Sequence, residues 1–182
     1  MTYKEIITLK NNQKCLLRNG TRDDGKEALS VFLRTHEQTD FLFSYPEEST
    51  YTAESQGEYL QKKADSPAEI EILAIVDGKM VGLAGIDRIA DRIKVRHRAD
   101  FGVCVDRDMW HLGIGKALTK ACIDCAQKAG YEQLELEVVA DNFPAIQLYQ
   151  NLGFIEWGRN PLGFKTRNST YQELICMRLE LQ

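Results

Sequence analysis

The sequence predicts an α/β (α+β) fold of one domain over residues 1–182, with a mixed central sheet and helices on both faces. Two observations lead to it. Strand-like segments early in the chain include a hairpin signal at Asp77-Gly78, which makes the first part of the sheet antiparallel. A later strand–helix–strand–helix–strand order requires parallel pairing, expected where Val103 and Leu136 lie side by side. At 182 residues the chain can bury roughly 70% of its unfolded surface in a single core, with no room for a second catalytic domain.

Lys14-Cys15-Leu16-Leu17-Arg18 reads as a strand. Thr21 is placed to cap a helix whose Ala28, Leu29, Phe32 and Leu33 form an apolar stripe reaching about His36. Phe41 to Glu48 breaks the period with Pro46 and mixes aromatic with acidic residues, as an exposed structured loop does. A second helix follows near Thr52 to Lys63. Glu69 to Asp77 and Lys79 to Ile86 are the strands of the hairpin. Asp87 to Arg98 is charge-rich, and Arg92, Lys94, Arg96, His97 and Arg98 suit a solvated loop. Asp100 to Val105 returns to strand character.

Ile114, Leu118, Ala121, Cys122, Cys125 and Ala129 then repeat at helical spacing, and Gly130 is positioned to stop that helix. Leu134 to Val138 is a short strand. Asn142 to Leu152 is a helix ended by Gly153, and Phe154 to Trp157 and Tyr171 to Leu181 are late strands.

A net charge of −4 argues against capture of nucleic acid or an anionic membrane and favours cationic partners. The N-terminus lacks a basic start followed by a sustained apolar stretch, and five scattered cysteines suit a reducing compartment, so a cytoplasmic location is expected. Cys122 and Cys125 have Cys-x-x-Cys spacing but fall on the apolar face of a helix, where packing is the better reading. With His36, His97 and His111 dispersed, no metal site is expected.

Two segments carry chemistry. Trp110-His111-Leu112-Gly113-Ile114-Gly115-Lys116 follows a strand and opens a helix, where unpaired amides and roughly half a positive charge can hold a phosphate. The alternative is that Gly113 and Gly115 only permit tight packing. A nicotinamide cofactor is disfavoured because Leu118 stands where its motif needs a third glycine. On the next helix Asn142 and Tyr149 lie two turns apart on roughly one face, aimed at one ligand; Tyr149 as a plain core aromatic is the competing reading.

With these two segments in place, the chain resembles the GNAT superfamily of acetyl-CoA-dependent N-acetyltransferases. The resemblance is strong over about residues 70 to 160. Gly113 and Gly115 match the family's glycine motif, and Trp110 stands at its Gln/Arg position. Leu136-Glu137-Val138-Val139-Ala140-Asp141-Asn142, with Leu148-Tyr149 and Leu152-Gly153-Phe154, looks like the ribosomal-protein N-terminal acetyltransferase branch.

The resemblance implies a gap between two central parallel strands. It further implies that Val103, Cys104 and Val105 pair with the pantetheine arm, that His111, Leu112, Gly113, Ile114, Gly115 and Lys116 wrap the pyrophosphate, and that Asn142 and Tyr149 sit near the sulfur. Acetyl-CoA is then the co-substrate. The acceptor is a small-molecule amine or a protein N-terminal amine, a homodimer is allowed, and no nucleic acid or membrane takes part.

Only a neutral amine attacks a thioester, and a lysine-like amine is neutral about once in 2,500 molecules at pH 7, so a base is needed. Glu137 is the first candidate, with Asp100 and His97 as alternatives, and Tyr149 is the expected acid for the departing thiolate. A backbone amide at or beside Val103 is expected to stabilise the oxyanion. The loop 160–168 is expected to cross the acceptor end of the site. A non-catalytic acyl-CoA-binding regulatory module is the alternative function.

Overall fold

The computed structural model describes residues 1–181. Its elements are β1 (Lys4–Thr8), β2 (Lys14–Asn19), α1 (Gly25–Glu37), α2 (Ala53–Asp65), β3 (Ile70–Val76), β4 (Lys79–Arg88), β5 (Arg98–Val105), α3 (Ile114–Lys128), β6 (Gln133–Val139), α4 (Phe143–Asn151), β7 (Ile155–Lys165) and β8 (Tyr171–Glu180). They build an α+β fold around one eight-stranded sheet in the order β1-β2-β3-β4-β5-β6-β8-β7. Every neighbouring pair is antiparallel except β5 and β6.

The hairpin falls where Asp77-Gly78 predicts it. Asp77 (φ 49°) and Gly78 (φ 76°) both take the left-handed conformation that a tight two-residue turn with the right twist requires. Alternation along β3 then sorts its side chains to two cores. Ile70, Ile72 and Ala74 meet the cluster under α3, with Leu118 and Cys122. Leu73 turns the other way, to Ala28 and Val31 of α1 and Leu60 of α2. Helices thus cover both faces, as expected, with α1 and α2 on one side and α3 and α4 on the other.

Cys122 and Cys125 are free and buried in the α3 interface, and burial pushes both thiols up. They are packing residues.

The predicted strand pairing of Val103 with Leu136 is not made. Parallel pairing of β5 with β6 covers only Arg98↔Gln133, Ala99↔Leu134 and Asp100↔Glu135, and the strands then part. Each is committed to its outer neighbour: β5 stays paired with β4 to Val105, and β6 with β8 to Val139.

The expected loop at 160–168 is also corrected. β7 continues to Lys165, with its register interrupted between Asn160 and Phe164. Pro161 cannot donate to a ladder, and it is tolerated here because β7 is an edge strand and the segment bulges. Strand β1 gave no clear pattern in the sequence.

Candidate active site

The site grows from the parting of β5 and β6. In an antiparallel pair, alternate residues turn their amides toward the partner. Asp106 N donates to Val81 O at 2.8 Å, so Cys104 and Gly102 share that phase and bond to β4. Val103 and Val105 point their backbone groups the other way, toward the space β6 has left. Trp110 Nε1 donates to Val105 O at 2.7 Å, which fixes the indole against the end of this edge. Val103, beyond the last residue paired with β6, keeps a free edge.

Just past β5 the chain turns with His111 at φ 62° and Gly113 at φ 98°, and α3 begins. Gly113 is the N-cap and has no side chain to cap with. The first intrahelical bond is Ala117 N to Gly113 O, which leaves the amides of Ile114, Gly115 and Lys116 without an acceptor among the described residues. They open into a cavity of about 520 Å³ that Val103, Cys104, Val105, His111 and Lys116 also line.

A Cβ at Gly113 would meet nothing within 4 Å, and one at Gly115 only Leu148 Cδ1 at 3.7 Å. Packing therefore does not require either glycine. Gly113 serves the left-handed turn, and Gly115 keeps the cradle open. These free amides, the empty space over Gly115 and the unpaired edge at Val103 fit a diphosphate with an amide-bearing arm.

Leu112 departs from the expected set. Its side chain packs on the core, it does not line the cavity, and its carbonyl accepts from Lys10 N at 3.2 Å. Lys10, which the sequence did not single out, lines the cradle from the β1–β2 turn and adds a cation.

Asn142, at the start of α4, and Tyr149, near its end, both line the cradle cavity. Asn142 also caps that helix, its Oδ1 accepting from Ala145 N at 3.4 Å. Tyr149 is buried, with its ring edge-on to Phe101 at 6.2 Å. Its hydroxyl has no hydrogen-bond partner among the described residues, and burial raises its pKa far above the ordinary tyrosine value. Val103, Asn142 and Tyr149 line the cradle cavity and also a second cavity of about 430 Å³. The two cavities meet at these residues.

The second cavity has an acidic floor. Side-chain alternation puts Asp100 on the sheet face opposite Phe101, and Glu135 and Glu137 opposite Leu134 and Leu136. All three carboxylates line the cavity. Arg98 holds Glu135 in a two-pronged ion pair, with Nη2 to Oε2 at 2.7 Å, and this keeps its carboxyl below the usual range.

Asp100 is different. It opens onto the cleft and is wet on one side, yet the protein crowded around its carboxyl, with Asp87, Glu135 and Glu137 nearby, raises its pKa to about 6. Glu137 stands opposite Cys176 on β8, whose Sγ lies 3.6 Å from Oε1. His97 lines neither cavity. Its carbonyl accepts from the amides of Glu132 and Gln133 at the start of β6.

Phe41, Phe43, Trp157 and Phe164 wall this second cavity. The loop carrying the first two is clasped to the β7–β8 turn. Arg167 stacks over the Tyr45 ring at 3.8 Å, pairs with Glu47, and donates its amide to Tyr45 Oη at 3.2 Å. Phe43 meets Phe164 edge-on at 6.0 Å. The aromatic–acidic composition of 41–48 hinted at this loop and Phe164 lies in the segment expected at the acceptor end, whereas Trp157 carried no local signal.

A family model described as Acetyltransferase (GNAT) family matches residues 31–154. The L-amino acid N-acetyltransferase AaaT of Escherichia coli (strain K12) is 34% identical over 118 residues, 64% of this chain and 72% of that protein. The [ribosomal protein bS18]-alanine N-acetyltransferase of the same strain is 39% identical over 80 residues, 44% of this chain and 51% of that protein. A crystal structure of a GNAT-family acetyltransferase from Streptococcus pneumoniae superposes with a TM-score of 0.87 at 28% identity, covering 91% of this chain and 99% of that one. Acetyl-CoA-dependent N-acetyl transfer is the activity these relatives support. The family match spans the cradle, the parted strands and the buried tyrosine, and the chain belongs to the GNAT family of acetyltransferases.

Proposed function

We propose that this protein acetylates a primary amine that enters the carboxylate-lined cavity, by direct attack and without a covalent enzyme intermediate. The observation that carries the reading is the meeting of the two cavities at Val103, Asn142 and Tyr149. An anion cradle opens to one side of that junction and acceptor carboxylates to the other. Acetyl-CoA supplies the activated acetyl group. Ile114, Gly115 and Lys116 amides hold its diphosphate, with Lys10 and Lys116 adding charge.

Asp100 takes the proton from the amine. A base is most effective when its pKa lies near the working pH, and a value of about 6 leaves Asp100 mostly ionised at pH 7 while still basic enough to accept. Glu137, the first expectation from sequence, faces the same cavity and holds the incoming cation.

Tyr149 acts as a hydrogen-bond donor to the leaving sulfur. With ordinary pKa values, full transfer from tyrosine to a thiolate is uphill by about 2 kcal/mol, and burial of Tyr149 steepens it. The same burial keeps the hydroxyl protonated at any working pH. The Val103 amide, free in the gap, is the donor for the acyl oxygen.

Two measurements test the reading. Titration calorimetry should show acetyl-CoA binding, and an amine screen should show amine-dependent release of the free thiol. Binding without release from any amine would refute the transfer.

A further inference from the structure

We propose that the acceptor cavity selects a linear di- or polyamine, with a second ammonium group and no neighbouring carboxylate, and turns free amino acids away. The inference rests on the acetyl-transfer reading above and narrows its acceptor. Asp100, Glu135 and Glu137 line the cavity, and no Lys, Arg or His does so among the described residues. Arg98 already occupies Glu135. Asp100 and Glu137 are left to meet incoming positive charge.

A free amino acid would carry its own carboxylate, one carbon from the reacting nitrogen, into this field. No cation there could receive it, and an uncompensated like charge in a confined site is a strong device for rejection.

Two open carboxylates ask for two positive charges. Asp100 lies beside Glu135 in register and Glu137 is two residues further along β6, so the diagonal from Asp100 to Glu137 across the two strands is roughly 8 Å. An extended four-carbon diamine, with each ammonium a hydrogen bond's length from its carboxylate, bridges that separation. Tyr149 supplies an independent marker. It is 8% exposed, its hydroxyl is unpartnered among the described residues, and it reaches this cavity, so it defines the end where the reacting nitrogen sits. Phe41, Phe43, Trp157 and Phe164 offer faces for a methylene chain and for a second ammonium.

The experiment measures thiol release by the full chain with acetyl-CoA and four acceptors: 1,4-diaminobutane, n-butylamine, L-methionine and an alanine-initiated peptide. The diamine should exceed n-butylamine in kcat/KM by about tenfold or more, the worth of one well-placed charge-assisted contact, and methionine should be inert. In Glu137→Gln the diamine-to-monoamine ratio should fall toward one. Equal use of diamine and monoamine, or preference for methionine or the peptide, overturns the inference while leaving acetyl transfer standing. No turnover of any amine overturns both.

Discussion

Replacing Gly115 with alanine separates what the cradle does for the fold from what it does for the ligand, because the two effects have opposite signs. Gly115 is the second residue of α3, and an added Cβ would meet only Leu148 Cδ1 at 3.7 Å, an ordinary contact. The fold gains. Alanine in place of a helical glycine stabilises by about 0.5–1 kcal/mol, which at this chain length raises the melting temperature by about 1–4 °C.

The ligand loses. The methyl group projects into the space where a phosphate oxygen must come within hydrogen-bond distance of the Ile114, Gly115 and Lys116 amides. Weakening one such charge-assisted bond costs about 1.5–3 kcal/mol, or about ten- to a hundredfold in the dissociation constant of acetyl-CoA. Differential scanning calorimetry and titration calorimetry on the same preparation read both numbers. An alanine variant that melts lower, or that binds acetyl-CoA as tightly as the parent, refutes the assignment of Gly115 to the phosphate.

Four further outcomes are expected. Tyr149→Phe should lower kcat by about ten- to a hundredfold with little change in acetyl-CoA affinity, since it removes a hydrogen bond made to a charge that develops only during reaction; stopped-flow turnover and calorimetry check this. Parent kcat/KM should fall as the pH drops through about 6 and Asp100 takes up a proton, and Asp100→Asn should lose both that inflection and at least about a hundredfold in rate. Because the folded protein binds the Asp100 proton more tightly than the unfolded chain, ionisation opposes folding increasingly as pH rises from about 4 to 6. Asp100→Asn should therefore be more stable than the parent at pH 8 and equal to it at pH 3, by urea midpoint. Lys63 is 3% exposed and bonds Asp87 at 2.7 Å and Glu71 at 3.0 Å, so Lys63→Met leaves carboxylates uncompensated and should cost about 3 kcal/mol or more in urea unfolding.

What was legible in the sequence is what depends on neighbours in the chain. The Asp77-Gly78 hairpin, the helix stops at Gly130 and Gly153 and the glycine-opened start of α3 follow from local backbone requirements. The parting of the sheet was not legible as geometry. It depends on β6 pairing with β8, whose residues come roughly forty positions later, so periodicity alone placed Val103 against Leu136. The acceptor cavity was hidden for the same reason: Asp100, Glu137, Phe43 and Phe164 converge only once the strands separate and loop 41–48 folds across. Pro161 and Gly163 read as loop residues, but an edge strand accommodates both in a bulge. Lys10 gave no motif because its place at the cradle is set by one backbone bond to Leu112.

The separation of β5 from β6 has one more consequence. Proteins guard the outer margins of their sheets against intruding strands, yet here a length of unsatisfied main chain is concealed inside the molecule. The cavities it faces are of a size to take a slender metabolite with its own amide groups. Occupancy by such a metabolite draws the folded state down by mass action, about 2.7 kcal/mol when its concentration is a hundred times the dissociation constant. On the proposed reading, thermal resistance should rise with the concentration of the acyl donor, through an opening that in an ordinary sheet would be a defect.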